Sequence, residues 1–464
     1  MIETVNKIRR RFQYYFFKAN KLFLKDKTLL DVEKIIKIKN KDLKIKKLEE
    51  LFYKNKKHPF LIYHLAKAKI DSSDYSGFEL LKNFEDLRME WVKKNMTKTN
   101  EIFIPIQQVI GALGNTYSLY YYLINRIHIL NNKIKPILLI KETEKITNSE
   151  VIKFLLPSLK LLKNNSIYYK KNYMYQINKA PIELGLQFKE NYYPPGIAIN
   201  FINQFLKKKN IIEQTVFKIS TNNINECYKK LSEYGLTKKD WFVVLHIREK
   251  KSDIDKLRDS DPLTYIEAIK FIISQGGKVI RVGDRTMTKL PKIDGLIDYP
   301  FTNLKSEIMD VFLAAQCKFC LGTSSGYYSL PIFFGKPVLL VNYLNTAEFF
   351  ALREGDLFLP KKLIYKKNDQ HVKIKDVFGL QIGNYITTDA YEKNNILIKN
   401  NSSDEILGAT KEMINILFNK ENKELDISNK QFKKEVDDSY FKLFEYPICT
   451  LAKVSNSYLK NFYN

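Results

Sequence analysis

The sequence predicts an α/β fold: two series of alternating strands and helices, preceded by a helical region. Three observations support this prediction. Apolar residues recur at helical spacing in residues 1–98, whereas residues 101–141 and 241–344 hold short apolar runs separated by amphipathic helices. Strands that alternate with helices favour a parallel sheet. A chain of 464 residues is also too long for one ordinary core, so at least two domains are expected.

The N-terminal region, residues 1–98, is predicted to be helical. Leu48, Leu51 and Leu61 fall at spacings near those of one helix face. Pro59 suits the first turn of a helix, where its missing N–H is not needed. The pattern resembles one helix-turn-helix repeat of the tetratricopeptide (TPR) type.

The first strand–helix–strand series begins at Glu101. The run EIFIPIQQVI has strand length, KPILLIK is a second strand, and an amphipathic helix lies between them. Gly111, Gly114 and Asn115 belong to the turn between the first strand and the helix. Glycines there let a ligand approach the backbone, so we predict an acceptor or phosphate contact. Residues 164–178, rich in Tyr, Lys and Asn, are expected to form a mobile loop.

The second series starts at Trp241 and contains four predicted strands, WFVVLHI, GGKVIRVGD, KFCLGT and KPVLLVNYL. Ligands bind at the carboxyl ends of parallel strands. The site is therefore expected in the loops after Leu245, Val282 and Leu321. Residues 346–400 are expected to be mostly loop, with further helices after them.

His246 and Arg248 alternate at the end of the first of these strands, so both side chains share one face. A guanidinium suits a diphosphate because it offers a permanent charge and paired donors. We predict that Arg248 contacts a phosphorylated ligand, with a structural Arg–carboxylate pair as the alternative. His246, Glu249 and Asp253 are candidates for a catalytic base.

The turn Gly322-Thr323-Ser324-Ser325-Gly326 follows a predicted strand and precedes a predicted helix. Its backbone N–H groups, hydroxyls and glycines are suited to hold an anion. We predict that Thr323, Ser324, Ser325 and Gly326 bind a donor phosphate. A helix start without a ligand is the alternative.

Asp284 follows the strand KVIRV, where a carboxylate can hold a ribose or base, or can act as a turn residue. The sequence leaves both interpretations open. Arg281 and Arg258 are further cationic candidates for donor binding.

No metal or other cofactor is expected, because no group of His, Asp and Glu has metal-ligand spacing in the sequence. Asp259-Ser260-Asp261 matches a DxD metal motif, but Asp261 stands at a predicted helix start, which favours a helix cap. Cys317 and Cys320 are predicted to be buried core residues.

The chain has a net charge of +26, and residues 1–60 hold 18 Lys and Arg against 7 Asp and Glu. Two interpretations stay open: an anionic partner, or compositional drift towards Lys, Ile and Asn. The basic segment around Arg9 and Arg10 could lie on an anionic membrane face, or its aromatic neighbours could pack inward. No signal peptide or membrane-spanning run is evident, so a cytoplasmic protein is expected, with peripheral contact at the inner membrane face as a further option.

The second series resembles a family of bacterial glycosyltransferases, and residues 241–345 carry the resemblance. The shared features are HIRE after a strand, RDSDPLTYIEAI at a helix start, GGKVIRVGD, and LGTSSGYYSLPIFFGKPVLLVN. The HxR at His246–Arg248 and the GALGN at residues 111–115 are also similar to the HxRR and GxxGN motifs of fucosyltransferases of the GT-B type. Here Glu249 stands where those enzymes have a second arginine.

The resemblance implies two Rossmann-like domains facing a cleft (GT-B type). We expect a helical, TPR-like region at residues 1–98 and an acceptor domain at residues 99–235. A donor-binding domain is expected at residues 236–422. C-terminal helices at residues 423–464 are expected to pack back on the acceptor domain.

The resemblance also implies sugar transfer from a nucleotide-sugar donor to a glycan or lipid-linked glycan, in bacterial surface polysaccharide synthesis. Arg248 would bind the donor diphosphate, while Gly111, Gly114 and Asn115 would line the interdomain cleft. Metal-independent, inverting transfer is expected, with no nucleic-acid partner. Three alternatives stay open: a sugar-nucleotide epimerase of the same architecture, a non-catalytic scaffold that binds nucleic acid or membrane, and an inactive transferase fold.

Overall fold

The structure is a computed structural model of the chain. It describes residues 26–72, 74–95, 97–98, 101–107, 111–130, 135–140, 146–155, 160–163, 181–249, 256–344, 352–373, 376–377, 388–419, 425–444 and 450–463. The predictions for Arg9 and Arg10, for residues 164–178 and for Asp253 lie outside the described residues.

The helices and strands are numbered separately in chain order. The helices are α1 Lys27–Ile35, α2 Lys41–Lys54, α3 Pro59–Ile70, α4 Gly77–Asn95, α5 Leu113–Ile124, α6 Ser149–Leu155, α7 Pro181–Leu184, α8 Pro195–Lys209, α9 Thr221–Ser232, α10 Ile266–Ser274, α11 Glu307–Gln316, α12 Ser329–Phe333, α13 Thr388–Lys393, α14 Ser403–Asn419, α15 Leu425–Phe444 and α16 Asn456–Tyr463. The strands are β1 Thr97–Lys98, β2 Glu101–Gln107, β3 Lys135–Ile140, β4 Lys160–Lys163, β5 Leu186–Phe188, β6 Asn191–Tyr193, β7 Phe242–His246, β8 Lys278–Arg281, β9 Leu296–Asp298, β10 Phe319–Gly322, β11 Val338–Tyr343, β12 Leu357–Pro360, β13 Lys362–Tyr365, β14 Ile396–Lys399 and β15 Lys453–Val454.

The chain divides into two compact units. Unit 1 contains residues 1–108, 130–142 and 159–193, and unit 2 contains the remaining residues, 109–129, 143–158 and 194–464. Each unit contains a sheet with parallel strand pairs, so the predicted α/β class is confirmed. The four-part division at residues 98, 235 and 422 stays a prediction.

Unit 1 begins with helices α1 to α4, which confirm the predicted helical region over the described residues. Val32, Leu48 and Leu61 are fully buried and form one apolar cluster between α1, α2 and α3. Pro59 is the first residue of α3, as predicted, and the His58 ring caps that helix by accepting the Leu61 N–H at 3.3 Å. The sheet of unit 1 has the order β1-β2-β3-β4, with β1 antiparallel and the other pairs parallel.

Unit 2 is built on a seven-stranded sheet of order β15-β12-β11-β10-β7-β8-β9, in which every pair is parallel. Its central strands are continuous apolar runs because both faces of such a sheet are covered. The first four residues of β7 and all residues of β10 and β11 are buried. From β7 the chain proceeds outward through β8 and β9, and then returns to β10 on the other side. The strand order therefore reverses between β7 and β10.

Two segments of unit 2 differ from the sequence prediction. Residues 346–400, expected to be mostly loop, contain β12, β13 and β14, because each of these short apolar runs finds a strand partner. The segment SGYYSLPIFFG was expected to be one helix. It forms a 3₁₀ turn at Gly326–Tyr328 and then the five-residue α12, which ends before Gly335 at a φ of 70°.

The C-terminal segment contributes to the large sheet. Strand β15 pairs with β12, and the Asn429 side chain of α15 forms two hydrogen bonds with the backbone of Val454, at 2.7 and 3.0 Å. The expected packing of residues 423–464 on the acceptor domain stays a prediction. Among the described helices, none is long and apolar enough to cross a membrane.

Candidate functional site

The candidate site lies where the strand order of the large sheet reverses. In register, His246 of β7 pairs with Gly322 of β10, and Leu245 pairs with Arg281 of β8. The segments that follow these three strands therefore leave the sheet side by side at its carboxyl edge. Open α/β sheets bind ligands at such a reversal point.

Arg248 is fixed at this edge by three hydrogen bonds. Its backbone N–H donates to the Thr323 hydroxyl at 2.9 Å, and its carbonyl accepts the Ser260 N–H at 3.1 Å. Its Nε–H donates to the Asp259 carboxylate at 3.0 Å, and the side chain is 13% exposed. The Arg–carboxylate pair considered as an alternative is thus present, and the Arg248 backbone is bound to the Thr323 turn.

The turn after β10 uses two of its hydroxyls to hold its own shape. Thr323 is buried and receives the Arg248 N–H, whereas the Ser324 hydroxyl accepts the Leu344 N–H at 2.9 Å. The Ser324 carbonyl accepts the Arg258 Nε–H at 3.1 Å. Ser325 is half-buried, and within the described residues its side chain forms no cap on the following turn. Of these three hydroxyl-bearing residues, Ser325 is the least buried.

The two glycine turns singled out in the sequence lie in contact within unit 2. A Cβ on Gly326 would overlap the amide nitrogen of Gly114 and lie 2.8 Å from its Cα. Helix α5 starts there without a side-chain cap from Ala112, and Gly111 is exposed while Asn115 in the first turn is half-buried. The uncapped N–H groups of a helix start carry partial positive charge. The start of α5 and the turn at residues 322–326 therefore form one surface suited to an anion.

Arg281 and Glu249 form a structural pair. Arg281 is fully buried and donates from Nη1 to the Asp298 carboxylate at 3.2 Å and to the Thr288 carbonyl at 2.6 Å. Its Nη2 donates to Glu249, whose second oxygen accepts the Thr288 N–H at 3.1 Å. This geometry favours a structural ion pair over the donor contact predicted for Arg281 and the base predicted for Glu249.

Asp284 is a turn residue in the structure. It is exposed and accepts hydrogen bonds from the Thr286 N–H and hydroxyl, which lower the pKa of its carboxyl. Of the two interpretations left open by the sequence, the geometry favours the turn over the ribose contact.

The DxD aspartates are engaged elsewhere. Asp261 caps a 3₁₀ turn by accepting the Leu263 N–H at 2.9 Å, and Asp259 binds Arg248. The part of the chain that the structure describes contains no group of three or more His, Cys, Asp or Glu residues that could hold a metal ion. Cys317 and Cys320 are fully buried, and burial raises the pKa of both thiols, as expected for core residues.

His246 is half-buried, and its ring is stacked on Tyr327 with centroids 5.1 Å apart and planes at 4°. Within the described chain, its Nδ1 is buried without a hydrogen-bond partner. Burial, followed by the charges of Arg281 and Arg248, lowers the pKa of His246 to about 4. The imidazole is therefore neutral near pH 7, and so low a pKa makes it a weak base.

Lys361 belongs to this site although no sequence pattern singles it out. It is 3% exposed, and its Nζ donates to the Asp259 carbonyl at 2.9 Å and to the Asn400 side chain at 2.7 Å. Burial lowers the pKa of Lys361 to about 8, against the opposing effect of the Asp259 charge. A lysine in a segment expected to be loop carries no signal that it will be buried. Lys361 holds the backbone of the residue that binds Arg248.

Three solved structures that show a likeness to this chain are glycosyltransferases. The glycosyl transferase family 9 protein of Veillonella parvula DSM 2008 has a TM-score of 0.37 and 10% identity, over 69% of this chain and 99% of that chain. The ADP-heptose LPS heptosyltransferase II of E. coli has a TM-score of 0.30 and 11% identity, over 49% and 81%. The iron-containing dodecameric glycosyltransferase TibC of enterotoxigenic E. coli H10407 has a TM-score of 0.29 and 12% identity, over 74% and 75%.

No model of a protein family matches the chain, and no curated protein matches it significantly. TM-scores below 0.5 describe a distant likeness.

Proposed function

We propose that the chain is a glycosyltransferase that moves a sugar from a nucleotide-sugar donor to a glycan or lipid-linked glycan. The observation that carries this proposal is the contact between the Gly114 turn and the Gly326 turn beside Arg248 and Arg258. The surface lies at the reversal point of a doubly wound sheet, where nucleotides bind in folds of this class.

The diphosphate of the donor is assigned to this surface. As the sugar departs, negative charge grows on the diphosphate, and donors already in place stabilise it without reorganisation. The backbone N–H groups at the start of α5 and in the turn at residues 323–326 supply such donors. Arg248 and Arg258 supply positive charge on the same side, and the neutral ring of His246 lies next to them as a hydrogen-bonding group.

The pairing of Asp259 with Arg248 supports this assignment. A carboxylate that orients an arginine keeps the guanidinium in one position, which matters because a displaced charge stabilises a transition state poorly. Lys361 fixes the Asp259 backbone in turn. In this arrangement Asp259, the first DxD aspartate, orients Arg248, and Asp261, the second, caps a turn. The arginines and the backbone N–H groups therefore stabilise the charge of the diphosphate.

The finer features of the proposal come from the sequence resemblance. Arg248 takes the role of the HxR arginine of GT-B fucosyltransferases, transfer is inverting and metal-independent, and the product belongs to a bacterial surface polysaccharide. Residues 99–235 recognise the acceptor and also contact the donor diphosphate at the start of α5, and residues 236–422 bind the rest of the donor. Acceptor deprotonation falls to a group other than Glu249. A cytoplasmic location, with peripheral contact between the basic segment around Arg9 and Arg10 and an anionic membrane face, belongs to the same proposal.

Two measurements on the full chain test the proposal. A thermal-shift screen with ADP, UDP, GDP, CDP and dTDP should show one nucleoside diphosphate that raises the Tm, because a ligand that binds only the folded state stabilises it. The corresponding donor, labelled in its sugar, should then lose its label to an acceptor. Label that stays on the nucleotide in an epimerised sugar would show an epimerase. If no nucleotide binds and steeply salt-dependent oligonucleotide binding is found, the chain is a nucleic-acid scaffold.

A further inference from the structure

Helix α5 carries a second group of polar side chains at its other end. Tyr122, Asn125 and Arg126 are 6%, 2% and 4% exposed. Four of their atoms are fully buried and have no hydrogen-bond partner within the described chain: the Tyr122 hydroxyl, the Asn125 Oδ1, and the Nε and Nη1 of Arg126. We call these three residues the Arg126 cluster.

Neighbouring residues of the same helix are hydrogen-bonded. The Tyr120 hydroxyl donates to the Thr215 carbonyl at 3.0 Å, and the Tyr121 hydroxyl donates to the Asn203 side chain at 3.0 Å. These two neighbours in α5 thus have partners, whereas the four atoms of the Arg126 cluster have none. Buried polar groups almost always have a partner, so several unpartnered groups in one place indicate a binding site for a polar ligand.

The Arg126 charge makes this lack costly. An ionised side chain is stable in a protein interior when it is paired with an opposite charge and hydrogen-bonded. The Arg126 guanidinium lies over the Tyr122 ring at 4.8 Å, a contact that is weaker than an ion pair. Among the residues that the structure describes, no ion pair to Arg126 is formed, so its charge is available to a bound anion.

The local backbone is also unusual. Residues Asn125–Ile129 form a π-helical turn directly after α5. Such turns are rare, occur mostly as single turns, and are frequent at functional sites. Both Asn125 and Arg126 lie in this turn, so the irregular backbone and the unpartnered side chains coincide.

We propose that the Arg126 cluster binds an anionic carbohydrate, a sugar that carries a carboxylate or phosphate. The guanidinium would hold the anionic group, while Asn125 Oδ1 needs a donor, which a sugar hydroxyl supplies. The Tyr122 hydroxyl can either donate or accept. Gly114 and Arg126 are about 18 Å apart along the helix, so this site is separate from the proposed diphosphate surface and does not depend on the proposed function.

Three probes at matched ionic strength test the proposal on the full chain: inorganic phosphate, D-glucuronate and D-glucose. Phosphate or glucuronate should raise the Tm of the wild type, and glucose alone should not. Arg126→Met should lose the Tm rise caused by glucuronate and show a smaller rise with phosphate, and its affinity for glucuronate, measured by calorimetry, should fall at least about tenfold. Arg126→Met should also fold, because an apolar side chain of similar length removes an unpaired buried charge.

Two control variants keep the test decisive. Arg258→Gln alters the proposed diphosphate surface and should keep the response that Arg126→Met loses, which separates the two sites. Tyr122→Phe preserves the ring and should weaken glucuronate binding while leaving the Tm without ligand nearly unchanged. A response to phosphate alone would assign a phosphate ligand, and a response to glucuronate alone a carboxylate sugar. Equal responses in wild type and Arg126→Met, or no response to either anion, would overturn the proposal.

Discussion

Three arginines at the carboxyl edge of the large sheet have different surroundings. Arg281 is fully buried between two carboxylates, Arg248 is paired with one carboxylate and is 13% exposed, and Arg258 donates to a backbone carbonyl. Their sequence positions alone do not distinguish them. The partners of Arg281, Glu249 and Asp298, lie 32 and 17 residues away along the chain, and which carboxylates fold back onto an arginine is decided by tertiary structure.

One substitution distinguishes a structural role of Glu249 from a role as catalytic base. Glu249→Gln removes a charged partner of a fully buried guanidinium, so the free energy of unfolding should fall by about 2 kcal/mol. Turnover per folded molecule should stay near that of the wild type, because Glu249 is bound to Arg281 and Thr288. Urea unfolding and donor turnover, measured on the same samples, give both values. Unchanged stability with lost turnover would instead identify Glu249 as the base.

The lowered pKa of Lys361 predicts that the free energy of unfolding depends on pH. Its pKa is about 8 in the folded protein and near 10.5 in the unfolded chain. Between these values the unfolded chain binds more protons than the folded protein. Lys361 therefore makes the free energy of unfolding rise with pH, by up to about 1.4 kcal/mol per unit.

The comparison with Lys361→Met isolates this effect from the other titrating groups. The free energy of unfolding of the wild type, minus that of the variant, should increase between about pH 8 and about pH 10. Denaturant titrations across this range measure it. A difference that is constant or decreases with pH would show that the folded pKa of Lys361 is not lowered.

At the scale of elements, apolar runs predicted four strands of unit 2, β7, β8, β10 and β11, and apolar spacing and caps predicted most of its helices, whereas β9 and β15 were not predicted. Both glycine turns were also identified, because glycines between a predicted strand and a predicted helix can be recognised from the sequence alone. That Gly114 lies against Gly326 could not be predicted, since the contact joins segments far apart in the chain. The short α12 and the strands within residues 346–400 were missed because brief apolar runs do not show which partner strand will pair with them.

The contact between the two turns leads to a prediction with an internal control. Gly326→Ala places a Cβ against the Gly114 backbone, so one turn must move, and donor affinity should fall at least about tenfold with a stability loss of about 1–3 kcal/mol. Gly322→Ala, in the same turn, meets Leu340 at 3.5 Å and Cys320 at 3.7 Å, which are ordinary contacts. Calorimetric titration of the nucleoside diphosphate into both variants measures this, and equal affinities would contradict a shared anion surface.

At the scale of the whole molecule, strand order positions the site. The alternation of strands and helices predicted a parallel sheet, and the rule of carboxyl-end binding pointed to the loops after Leu245, Val282 and Leu321. The structure adds that β7 and β10 are neighbours, so the reversal point falls between the HxR strand and the LGTSSG turn. Composition was less informative, because a net charge of +26 fits a nucleic-acid partner, a membrane or drift equally well.

Arg248 is proposed to stabilise the departing diphosphate of a nucleotide-sugar, and the rate of sugar transfer by Arg248→Ala tests this role. The activation free energy of sugar transfer should rise by at least about 3 kcal/mol, so turnover of the labelled donor should fall more than about a hundredfold. This rise in activation free energy should be larger than any loss in the free energy of unfolding that results from leaving Asp259 without its partner. Near-wild-type turnover in a folded Arg248→Ala protein would contradict this role of Arg248.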